Sequence, residues 1–265
     1  MPLPFILGAA AVLGAARTID ALDDMSTAKR INREAQGIAD RAKKNLDVSQ
    51  QSCKAIRENL LKNGQYIKES SIKDFTYHFL KIHNYPFENI NQREELKNFA
   101  VTNDKFVSTE IKTFGLSDFA MVGAASYLLG FLNPATLVFS GFFVLGDKAD
   151  KALSDAKSNR RLAENYEEKC KNVCSFLDRV STCCNQVNNT LDNLNNKFIP
   201  TVAELRNIIS NYGTDFKYYS PQIRQKVKRS FDLSDAIRQI LNTPILTEDG
   251  KKINSKIQRL IEKYS

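Results

Sequence analysis

A chain of 265 residues with 42% apolar and 26% charged residues can bury a core, which excludes a disordered or low-complexity polymer. Its formal net charge of +8 is uneven: from Lys217 to Ser265 there are 11 Lys/Arg against 5 Asp/Glu, and the first 216 residues carry only +2. Five cysteines, an odd number in a chain this long, exclude a disulfide framework and point to reduced thiols used as small core residues in a cytosolic protein.

Met1 to Ala16 (MPLPFILGAAAVLGAA) has no charged side chain. No Lys or Arg precedes its apolar run, so no cleavable signal peptide is expected. The run is also short for a spanning helix, which needs about 20 residues. Residues 1–16 are therefore expected to form a retained apolar arm.

From Arg17 the pattern is helical. Ala28, Ile31, Ala35, Ile38 and Ala42 recur at a 3-4 spacing, and after one offset Leu46, Ser49, Cys53, Ile56 and Leu60 resume it. That is a heptad seam with a stutter, built of small residues that let a partner helix come close. Asn63-Gly64 is expected to stop this helix. Ser71 with Asp74 resembles a capping box for a short helix bearing Phe75, Phe79 and Ile82, which Asn84-Tyr85-Pro86 ends. Asn91 with Glu94 opens another, bearing Leu96 and Phe99. The long helix and the two short ones make a segment 17–113.

Phe119 to Gly146 is a run of 28 residues without charge or histidine, and 13 of them are Leu, Val or Phe. On an insertion scale these favour a bilayer by about 4–8 kcal/mol. Asn133-Pro134 at its centre kinks or breaks a helix, so two geometries compete: a single kinked span, since about 20 residues cross a bilayer, and a helical hairpin over 114–146, whose arms are too short to cross fully. Phe119, Leu128, Leu129, Phe131, Leu132, Pro134, Leu137, Phe139, Phe142 and Phe143 are the candidate membrane contacts. Ala120 with Ala124, and Ala10 with Gly14, have the small-xxx-small spacing that packs apolar helices closely.

Segment 147–213 reads as a second long helix. Ala163, Tyr166, Cys170, Val173, Leu177, Val180, Cys184, Val187, Leu191, Leu194 and Phe198 alternate by 3 and 4 without a miss. Asp147 to Phe198 would measure about 78 Å as one helix. Pro200 is expected to kink or end it, and Gly213 to close the following piece. Residues 214–265 read as a basic helical tail. Ser220-Pro221 starts a helix, Asn242-Thr243-Pro244 stops it, and Asp249-Gly250 turns the chain into a last helix with Ile253, Ile257 and Leu260. Lys226, Lys228, Arg229, Lys251, Lys252 and Lys256 are the candidate contacts for an anionic partner.

No phosphate-binding, dinucleotide, zinc-protease or nucleophile-elbow motif occurs. Cys170 and Cys174 lie at i,i+4, but His78 and His83 are distant in sequence, so no metal site is expected. Asp74 and His78 at i,i+4 can form an ion pair without a nucleophile to join them. No catalytic residue, cofactor or small-molecule substrate is expected, and no helix-turn-helix or stacking platform favours nucleic acid.

The opening MPLPFILGAAA, the Gly/Ala-bearing apolar segment and the following VLGDKADKALSDAK resemble a family of uncharacterised bacterial proteins over about the first 160 residues. That family sets a glycine-rich apolar segment between long coiled-coil helices. The architecture is also similar to α-helical pore-forming toxins of the cytolysin A and haemolysin BL types, an analogy of fold that transfers no residue role.

The chain is thus expected to be an all-α, elongated antiparallel helical bundle or coiled coil with a central hydrophobic hairpin and a small C-terminal helical tail. Antiparallel pairing of the two long helices would return both ends of the uncharged stretch to one place, which favours the hairpin over the kinked span. Membrane association or insertion, of a pore-forming or membrane-perturbing kind, is the expected function. The alternative is a cytoplasmic coiled-coil scaffold or signalling protein with the hairpin buried. The heptad faces also allow self-association.

Overall fold

The structure of the protein is a computed structural model that describes residues 15–87, 91–101 and 149–265. In chain order these form α1 (Ala15–Ile67), a π-helical turn (Lys68–Ile72), α2 (Lys73–Phe79), α3 (Gln92–Val101), α4 (Ala149–Tyr212), a 3-10 turn (Phe216–Tyr218), α5 (Pro221–Leu241) and α6 (Ser255–Tyr264). The all-α class follows, with no strand among the described residues. The hairpin over 114–146 lies outside them, as do residues 1–14 of the apolar arm.

The chain divides into two units, and each takes part of both long helices. Unit 1 holds residues 15–48 of α1 and 149–174 of α4. Ala28, Ile31 and Ala156 form its cluster, with Ala152 and Leu153 packed against them. Ala35, Ala42, Ala163 and Tyr166 continue the buried seam. Beside it Asn159 Nδ2 donates to Asn32 Oδ1 at 3.1 Å, and the Arg160 guanidinium reaches Glu34 at 3.3 Å. These partners are separated by 127 and 126 residues, so position on α4 rises with position on α1. The two helices of unit 1 run parallel.

Unit 2 holds residues 49–87, 91–101 and 175–265. Asn63 Nδ2 donates to Asn188 Oδ1 at 2.8 Å and to Asp192 Oδ1 at 2.7 Å, separations of 125 and 129 residues. Cys53 hydrogen-bonds the Ser181 side chain. The register again rises together, and pairing is parallel here too. The antiparallel expectation is therefore corrected. A heptad seam is symmetric to direction; polar pairs such as Asn32–Asn159 and Asn63–Asn188 select it.

All eleven seam positions from Ala163 to Phe198 are buried, as the spacing predicts. In unit 2 the buried face of α4 widens to include Cys183, Thr190 and Asn195, because more than one partner covers it. Phe79 sits at the centre of an aromatic cluster, its ring 4.9 Å from Phe75, 5.3 Å from Phe231 and 4.9 Å from Tyr85. Phe75 in turn meets Phe198 edge-on at 5.3 Å.

Three local expectations are also corrected. Asn63-Gly64 does not stop α1, which runs on to Ile67. Asn63 clamps α4, and a Cβ on Gly64 would stand 2.9 Å from Leu241 Cδ2, so the glycine serves a close approach. Ser71 and Asp74 form no capping box, since the chain stays helical from α1 through the π-helical turn into α2 and Ile72 caps nothing. Pro200 does not end α4, which continues to Tyr212. An interior proline costs about 3 kcal/mol. Burial of Phe198, Val202 and Leu205 on either side, at about 1.5–3 kcal/mol each, offsets it. Gly213 does close the helix, with φ +76° and its N–H on the Ile209 carbonyl at 3.1 Å.

Candidate functional site

Parallel pairing decides what lies at the ends of unit 1. The uncharged N-terminal arm joins α1 at Ala15, and the uncharged segment 119–146 runs into α4 through Asp147 and Lys148. With a register of about 127 residues, both helices begin at the same end of unit 1. The ten candidate membrane contacts, from Phe119 through Phe143, and the small-residue pairs Ala120/Ala124 and Ala10/Gly14 lie outside the described residues. Among the described residues no helix is long and apolar enough to cross a membrane.

The basic candidates are all in unit 2 and all exposed. Ser220 caps α5 by accepting from the Ile223 N–H, and Pro221 follows, so α5 starts where the sequence predicts. Lys226, Lys228 and Arg229 stand on its first turns, and the Lys226 ammonium pairs with Glu204 at 2.5 Å. Lys251 and Lys252 lie on the turn before α6. There Gly250 has φ +68°, and Asp249 accepts from the Thr247 hydroxyl at 2.6 Å and the Lys251 N–H at 3.1 Å. Those bonds hold the Asp249 carboxyl below its usual pKa, the Thr247 bond most. Lys256 opens α6, whose Ile257, Leu260 and Ile261 are buried.

Sequence reasoning missed Lys217, Tyr218 and Arg224, which stand beside the start of α5. Lys217 and Arg224 are lone charges in sequence and carry no motif, but Phe216 to Phe231 as a whole holds five basic residues and no acidic one. That asymmetry was the available signal.

Asp74 and His78 do pair, at 3.5 Å, and Arg206 from α4 closes on the same carboxylate. His78 titrates below its ordinary value. Burial is the main cause and outweighs the pull of Asp74, with Lys81 and Arg206 pushing the same way as burial. All five cysteines are free. Burial pushes Cys184 up to about 12 and Cys183 up to about 11. Such thiols are packing groups rather than nucleophiles. Among the described residues no three His, Cys, Asp or Glu side chains converge as a metal site would require. Lys68 is buried, and its ammonium lies 5.1 Å from the centroid of the Phe99 ring of α3. No protein-family model, no curated protein and no solved structure matches the chain.

Proposed function

We propose that this is a membrane-associating helical protein whose uncharged segment, Phe119–Gly146, enters a bilayer. Its activity is of the pore-forming or membrane-perturbing kind, and it works from the cytoplasm as a non-enzymatic protein. The observation that carries this reading is the parallel register of unit 1. Because α1 and α4 start at one end, two uncharged segments attach to that end together, the first joined at Ala15 and the second through Asp147 and Lys148. An uncharged run of 28 residues and a second of 16 together offer a bilayer more apolar length than either alone. Five free cysteines, four of them buried, suit a reducing compartment. The resemblance to the bacterial coiled-coil family and the toxin analogy fit this proposal and do not carry it.

Leu129→Lys and Phe139→Asp test it. A charge at mid-bilayer costs about 2.5–3.5 kcal/mol, a large share of the about 4–8 kcal/mol that the 13 Leu, Val and Phe residues contribute before Asn133, Pro134, the glycines and the serines offset part of it. Full-length variants should lose flotation with liposomes while melting like the parent. If the parent never floats with neutral or anionic liposomes, and the variants melt far lower, the segment is a buried core element and the scaffold alternative stands.

A further inference from the structure

Tyr218 is 85% exposed, the most exposed large apolar side chain among the described residues, yet the turn that carries it is tightly held. Asp215 accepts from the Lys217 N–H at 3.0 Å, and Asn84 Nδ2 donates to the same carboxylate at 2.9 Å. The backbone of His83 bonds both Thr214 and Phe216, at 2.7 and 3.1 Å. Tyr219 Oη donates to the Gly213 carbonyl at 2.6 Å. Arg224 Nη2 donates to the Lys217 carbonyl at 2.6 Å, with its guanidinium 5.5 Å from the Phe216 ring centroid. A ring displayed in water on a turn this constrained keeps one position and loses little entropy on contact.

The chain on either side of that ring is basic. Lys217, Arg224, Lys228 and Arg229 are exposed within about eleven residues of it in sequence, and Arg224 and Lys228 are neighbours at i,i+4 on α5. Asp215, the nearest acidic residue, has its carboxylate engaged by Asn84 and by the Lys217 N–H, and Glu204 is taken by Lys226. A tyrosine has an apolar body and a polar tip, which suits the headgroup level of a bilayer, and clustered basic residues suit anionic lipid.

We propose that Lys217, Tyr218, Arg224, Lys228 and Arg229 form a contact surface for anionic lipid headgroups, with Tyr218 as the interfacial anchor. The choice of lipid over a nucleic acid or an acidic protein rests on the membrane reading above, from which this surface is a separate contact: segment 119–146 runs into the start of the 64-residue α4, and Tyr218 follows its end.

The chain contains no tryptophan, so Tyr218→Trp introduces a single reporter. Full-length protein is titrated with vesicles of phosphatidylcholine, and with vesicles of equal parts phosphatidylcholine and phosphatidylserine. The emission should shift to the blue only with the anionic vesicles, and the shift should reverse as salt rises from about 0.1 M to about 0.5 M. Adding Lys217→Gln, Lys228→Gln and Arg229→Gln should weaken this binding by about a hundredfold while leaving the melt unchanged. A Tyr218→Trp chain that floats with vesicles while its indole emission stays solvent-like overturns this surface and leaves the membrane reading in place. A blue shift that survives Leu129→Lys supports the surface independently of the uncharged segment. A shift produced by single-stranded oligonucleotide, and not displaced by anionic vesicles, overturns the lipid assignment in favour of nucleic acid.

Discussion

Asn63→Ala separates the two roles available to the Asn63-Gly64 pair. As a helix stop, Asn63 would be dispensable, and alanine would add up to about 0.7 kcal/mol of helix propensity. As the clamp between α1 and α4 in unit 2 it makes two bonds that alanine cannot. The bond to Asn188 contributes about 1 kcal/mol and the charge-assisted bond to Asp192 about 1.5–3 kcal/mol. Subtracting the propensity gain leaves a net loss of about 2–3 kcal/mol. Urea denaturation of the parent, Asn63→Ala, Asp192→Ala and the double variant completes a cycle, and the coupling should exceed about 1 kcal/mol. An Asn63→Ala variant as stable as the parent, with no coupling to Asp192, would refute the clamp and the parallel register of unit 2 that rests on it.

Acid should weaken unit 2 through His78. Its folded pKa lies below the unfolded value of 6.5, so the unfolded chain takes up the proton first, and stability is full above 6.5 and falls as pH drops toward the folded value. Melting between about pH 8 and pH 5 should show the fall, and His78→Asn should flatten it. A bulky thiol reagent should label the partly exposed Cys174 first and leave Cys183 and Cys184 untouched until the protein unfolds. Gly64→Val should lower the melting temperature by crowding Leu241, an overpacking loss of about 1–3 kcal/mol, and Leu241→Ala in the same chain should recover part of it.

The seam of α4 was fully legible, because eleven positions alternating by 3 and 4 admit one helix face and every one of them is buried. The Ser220 cap and the Gly213 and Gly250 positions were legible as well, since only a few residue types meet those local geometries. Direction was not. Ala28, Ala35 and Ala42 would pack as well against a helix running either way, and the side chains that choose, Asn32 with Asn159 and Asn63 with Asn188, look like ordinary surface amides in sequence. Tertiary burial likewise overrode the local signals at Gly64, Ser71 and Pro200. Of the candidate site, the basic residues of α5 could be found by counting charge. Tyr218 could not, because its exposure depends on bonds from residues as distant as Asn84.

The claim on which the membrane account turns is that α1 and α4 run parallel in unit 1, so that both uncharged segments attach at one end. Spin labels on Met25→Cys and Ser154→Cys, both exposed positions of unit 1, measure it in a Cys174→Ser background. In the parallel register Met25 lies nearly opposite Ser154, and the labels should be separated by little more than the 8–10 Å or so between packed helix axes plus the label arms. Antiparallel pairing of segments 17–63 and 147–198 would set Met25 opposite a residue about 36 positions further along α4, a separation of about 50 Å. Parallel pairing predicts the short distance; the long one would put the two apolar segments at opposite ends and contradict it.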